Sequence, residues 1–72
     1  MKLELIRTII SEVMQTDASG ITANTDFEKD LDADSMEVFR ILIEVERVFC
    51  RAFDFSDTDF PSTVQDVLEL LD

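Results

Sequence analysis

A chain of 72 residues suffices for one small domain, buries a modest core and leaves little stability to spare. Seventeen acidic residues against six basic ones give a net charge of −11, which argues against nucleic acid, whose phosphates need Lys and Arg, and against anionic membranes. One cysteine cannot form an internal disulfide, histidine is absent, and a single Gly and a single Pro favour helices over many short strands.

The first helix is predicted from Lys2 to Met14. Leu3, Ile6, Ile10 and Val13 recur at spacings of three and four, with Ile9 and Met14 widening the stripe. Asp17-Ala18-Ser19-Gly20 reads as a stop and a turn. From Ile21 to Asp34 no period is sustained, so this stretch is expected to be an ordered loop pinned by Ile21, Phe27 and Leu31. Asp34 followed by Glu37 has the spacing of a capping box, which starts the second helix. Val38, Leu42, Val45 and Phe49 form its buried face, and Phe27, Ile6 and Ile10 are expected in the same core. Met36, Phe39 and Ile43 make a further apolar row, which either packs on a second side or is left for a partner. A short turn is expected from Asp57 to Phe60, with Ser56 and Asp59 in capping spacing. The last helix is predicted to begin near Ser62, with Gln65 three residues on and Val64, Val67, Leu68 and Leu71 as its stripe. The whole, residues 1–72, reads as one all-α domain of three helices, a fourth short one and a long first connection. No run is long and apolar enough to span a bilayer, and Met1-Lys2-Leu3-Glu4 is charged and amphipathic, so a cytoplasmic monomer is expected.

Asp30, Asp32 and Asp34 have the spacing that opens a calcium loop, but Ser35 and Ile41 stand where that loop needs Gly and a bidentate Glu. No metal site is therefore expected. Catalysis is not expected either. The chain has no His for a triad and no glycine-rich phosphate loop, and a domain this small can hardly enclose a dry cleft. Cys50, without a second Cys or a His for a metal, reads as a partly buried, inert thiol. Ser35 falls at the first helical position after Asp34, where unpaired amides and the positive end of the helix dipole favour a phosphate on its hydroxyl.

The stretch Asp30-Leu31-Asp32-Ala33-Asp34-Ser35-Met36-Glu37 resembles the attachment motif D-L-G-A-D-S-L of the acyl carrier protein family. Glu46 to Phe49 resembles that family's E-x-x-F close of helix two, and Thr63-Val64-Gln65-Asp66-Val67 its T-V-x-D opening of the last helix. The resemblance implies a four-helix bundle with a short third helix. It also implies a 4'-phosphopantetheine arm on Ser35, flanked by Asp34 and Met36, carrying acyl groups as thioesters. The partners it implies are a phosphopantetheinyl transferase and the enzymes that load and transfer acyl groups, in a fatty-acid, polyketide or specialised lipid pathway. They are expected to dock on Met36, Glu37, Arg40, Ile43, Glu44 and Arg47. Asp32 replaces the motif glycine, Met36 its leucine, and Pro61 a common aliphatic residue; Arg40 stands where many fatty-acid carriers have glutamate, and Arg47 also interrupts the usual acidic surface. These departures favour a specialised carrier. An aminoacyl or D-alanyl carrier, and a helical interaction module that carries nothing, are the alternatives.

Six acidic residues fall between Asp26 and Glu37 with only Lys29 among them, and charges this dense repel and loosen the compact state. The melting temperature is therefore expected to rise with salt, since the screening length falls to about 10 Å at 0.1 M, and with magnesium. Thermal melts that ignore both would show that this run does not strain the fold.

Overall fold

The computed structural model describes residues 2–53 and 61–71. Among them lie three α-helices, α1 (Lys2–Met14), α2 (Ser35–Phe49) and α3 (Val64–Leu70), with a 3-10 turn at Ala18–Gly20. The turn expected at Asp57 to Phe60 lies outside the described residues. The all-α architecture read from the sequence is the one these residues adopt, with a long first loop between α1 and α2.

The apolar stripe of α1 turns Ile6, Ile9 and Ile10 inward. Against them pack Val38, Ile41, Leu42 and Val45 of α2, spaced three, one and three residues apart so that they share one helix face. Val64 and Val67 of α3, with Leu71 just beyond it, close the third side. Ile21, Phe27 and Ala33 reach the core from the loop, and Leu31 packs against it half-buried. Each of these large side chains contributes about 1.5–3 kcal/mol by leaving water. Phe49, expected inside, packs against this core but remains partly exposed because α2 ends there; Ile41, which the sequence reading left off the buried face, is fully buried.

Both long helices end in a left-handed turn without glycine. Gln15 and Cys50 each have φ 54°. In each case the next residue donates back into the last turn, Thr16 N–H to Ser11 O at 3.1 Å and Arg51 N–H to Glu46 O at 3.0 Å, which satisfies carbonyls that would otherwise be unpaired. The expected stop at 17–20 is a capped turn. Ser19 N–H donates to Asp17 Oδ1 at 2.9 Å, and this bond holds the Asp17 carboxyl below its usual range. The stabilisation this bond gives is present above the ordinary carboxylate range and lost as pH falls through the lowered value.

The start of α3 corrects the sequence reading. The cap is Thr63, not Ser62. Thr63 Oγ1 accepts from Asp66 N–H (3.2 Å), and the Asp66 carboxylate accepts in return from Thr63 N–H and Ser62 N–H. Two overlapping S/T-x-x-[D/Q] spacings compete here, and Ser62 is withdrawn from the cap because its carbonyl accepts from Phe27 N–H at 2.9 Å.

Leu42 is fully buried in the core, so Leu42→Ala should cost roughly 2–5 kcal/mol. Urea denaturation measures this, and an unchanged midpoint would place Leu42 outside the core.

Candidate functional site

The second helix begins with a complete capping box. Asp34 Oδ1 accepts from Glu37 N–H (2.9 Å), and Glu37 Oε1 accepts from Asp34 N–H (3.1 Å). The cap fixes Ser35 as the first helical residue. Its side chain is exposed and makes no hydrogen bond to any described residue. The amides of Ser35 and Met36 have no acceptor within the helix, and they lie at the positive end of a fifteen-residue dipole.

The loop leading to this serine is held by backbone bonds to the start of α3. Phe27 N–H donates to Ser62 O, Val64 N–H to Thr25 O and Gln65 N–H to Ala23 O, at 2.9 to 3.1 Å, around an isolated bridge between Asp26 and Thr63. Thr25 is buried, and its hydroxyl accepts from Thr22 N–H. None of this pairing was foreseen, since it runs through main-chain atoms and leaves no side-chain signature. The acidic run is partly consumed by the same loop. Asp26 Oδ1 accepts from the amides of Glu28 and Lys29, and Asp30 Oδ2 from Asp26 N–H. An open cleft of about 390 Å³ lies beside Ser35, floored by Phe27, Ala33 and Val38 and edged by Lys29, Asp34 and Pro61.

Asp32 adopts φ 54°, the left-handed region that glycine enters freely. The chain reverses here so that Ala33 N–H can reach Phe27 O at 2.9 Å.

The six residues expected to meet partners divide into two groups. Met36, Arg40, Ile43 and Arg47 are exposed along one strip of α2, with Met36 67% accessible. Glu37 and Glu44 already have structural duties. Glu37 closes the capping box, and Glu44 pairs with Arg47 at 2.5 Å. Arg40 has no ion pair among the described residues. Phe39 and Val48 add exposed apolar surface beside the strip. Cys50 is exposed rather than partly buried, because its left-handed backbone turns it away from the core at the end of α2.

A family model described as "Phosphopantetheine attachment site" matches residues 4–71. The acyl carrier protein of Onion yellows phytoplasma is 36% identical over 70 residues, covering 94% of this chain and 90% of that protein. Acyl carrier protein 3 of Ralstonia nicotianae is 33% identical over 70 residues, covering 97% and 80%. The acyl carrier protein of Trieres chinensis is 34% identical over 67 residues, covering 93% and 84%. The chain belongs to the acyl carrier protein family. It is a carrier and not an enzyme, and its prosthetic group is a covalently attached phosphopantetheine. Its partners are transferases and acyl-handling enzymes in general. No helix among the described residues is long and apolar enough to cross a membrane.

Because Asp32 occupies a backbone region that costs a side chain energy, Asp32→Gly should stabilise the fold by about 0.5–1 kcal/mol. Removing one carboxylate from the crowded loop acts in the same direction. Chemical denaturation checks this; a destabilised variant would mean that the Asp32 side chain has a stabilising role.

Proposed function

We propose that Ser35 is the attachment residue, flanked by Asp34 and Met36, and that residues 1–72 act as one carrier domain in a specialised lipid pathway. The observation that carries this reading is the unengaged Ser35 hydroxyl at the first position of a capped helix.

The residues suit a phosphodiester. Exposure lets a transferase reach Ser35 Oγ. In the loading step the hydroxyl gives up its proton, Oγ forms the phosphoester, and the nucleotide half of coenzyme A leaves. The free amides of Ser35 and Met36 and the helix dipole would favour the negative charge of the phosphodiester carried there. Asp34 holds the serine in place through its cap and does not touch the hydroxyl. The arm, once attached, supplies a terminal thiol that holds the acyl group as a thioester. Val38, Phe27 and Pro61 line the cleft beside Ser35 and would offer the root of the arm an apolar surface.

Docking is assigned to the exposed strip Met36, Arg40, Ile43 and Arg47, with Glu37 and Glu44 at its border. An enzyme receiving the arm must cover the start of α2, and this strip runs from there. The specialised pathway is inferred from its two arginines, which would oppose a purely basic docking patch. The cytoplasm, where one exposed thiol stays reduced, is the compartment this reading assigns.

Incubation with coenzyme A and a broad-specificity phosphopantetheinyl transferase, followed by intact mass measurement, tests the attachment. One adduct is expected on the native chain and none on Ser35→Ala. An adduct that persists in Ser35→Ala would move the site to another residue.

A further inference from the structure

A second groove, of about 370 Å³, opens between α1 and α2, away from Ser35. Its floor is apolar, with Ile9 and Val13 from α1 and Ile43 and Val48 from α2. Ile43 and Val48 are 42% and 45% exposed, a large apolar area for a chain this acidic. Four charges rim it. Arg47 and Glu44 neutralise each other in an ion pair. Glu12 on α1 and Arg40 on α2 line the same groove without pairing, either with each other or with any described residue.

We infer that this groove takes an apolar side chain from a segment of a partner enzyme that directs a carboxylate to Arg40 and a cation to Glu12. The inference rests on the carrier reading and names the chemistry of its partner.

The argument is one of charge complementarity. At long range the net charge of −11 steers a basic surface toward the protein. At contact, a uniformly basic surface would set a cation against Arg40 and strip water from both, which is unfavourable for two like charges. The surface that satisfies both ranges is basic with one acidic residue set in it. The groove also fixes direction, because its free anion is on α1 and its free cation on α2. A partner lying across it must present the acid over α2, the apolar anchor between, and the base over α1. A partner docked the other way round meets like charge at both ends. The groove therefore selects orientation as well as identity.

The test uses designed peptides rather than an unidentified enzyme. One is an amphipathic helix with a leucine seam, lysines at its polar positions and a single glutamate flanking the seam. Its control carries lysine in place of that glutamate. Both are titrated into isotope-labelled protein at about 0.15 M salt, where long-range attraction is screened within about 8 Å. The apo and the phosphopantetheinylated chains are run side by side, so a failure of Ser35 to accept the arm leaves the groove measurement intact.

The native chain should bind the glutamate peptide about tenfold more tightly than its control, although the control carries more positive charge. Resonances of Ile9, Val13, Ile43 and Val48 should shift. Arg40→Glu should reverse the preference. Arg40→Gln, which keeps a polar side chain without the charge, should abolish it. A native chain that prefers the all-lysine control or binds both alike would overturn the inference. So would a preference unchanged in the Arg40 variants, or shifts confined to the Ser35 cleft. Sedimentation showing a dimer that Arg40→Glu dissolves would assign the groove to a second copy of the chain, which also overturns it.

Discussion

The reciprocal hydrogen bonds between Asp34 and Glu37 fix where α2 begins, and the place of Ser35 follows from that start. A helix turns about 100° per residue. The spacing of Val38, Ile41, Leu42 and Val45 decides which face turns inward, and the cap decides where the loop joins that face. With the cap at Asp34, the core row faces α1 and α3, the exposed strip lies opposite, and Ser35 is the first residue past the cap with its hydroxyl in solvent. The place of Ser35 at the helix start is thus tied to two hydrogen bonds. Caps of this kind contribute about 0.5–2 kcal/mol, a large share of what a domain this small can hold in reserve.

The loop before the cap is the other half of the arrangement. A stretch this long is costly to order. Here the cost is offset by Ile21 and Phe27 in the core and by main-chain bonds to the start of α3. The carboxylates of Asp26 and Asp30 then take up amides that the reversing chain leaves without partners. The acidic run therefore has two effects of opposite sign. It satisfies backbone donors locally, and it accumulates like charge beside Ser35, the proposed attachment residue. A carrier has use for both, a rigid root for its arm and a field that speeds encounters with basic enzymes. The charge on α2 itself is mixed. In the proposed docking, long-range attraction and close-range selection are set by different residues, the loop acids for the first and Arg40 for the second.

How much of this was legible in the sequence depends on where the information resides. The extent of α1, the start and end of α2 and the exposed place of Ser35 follow from periodicity and from one unambiguous cap, Asp34 with Glu37. The start of α3 was misplaced by one residue because Ser62 with Gln65 and Thr63 with Asp66 fit the same rule; only the pairing of Ser62 O with Phe27 N–H decides between them. Ile41 was missed because it lies next to Leu42, and a list built on steps of three and four names one of two adjacent buried residues. The left-handed turns at Gln15 and Cys50 had no signal, since neither is glycine. Arg40 and Arg47 looked alike on the strip, but Glu44 pairs with Arg47 and leaves Arg40 without an ion pair among the described residues. The contribution of α1 to the groove depends on how the two helices cross, which no local pattern encodes.

The central claim is the proposal that the cap, and not the charge of Asp34, presents the Ser35 hydroxyl for attachment. The rate at which a phosphopantetheinyl transferase modifies Asp34→Asn and Asp34→Ala tests it most directly, because asparagine caps a helix about as well as aspartate and alanine does not. The account predicts a near-native rate for Asp34→Asn and a rate several-fold lower for Asp34→Ala, with both variants shown to be folded by circular dichroism. An Asp34→Asn variant as slow as Asp34→Ala, or an Asp34→Ala variant as fast as the native chain, would contradict it.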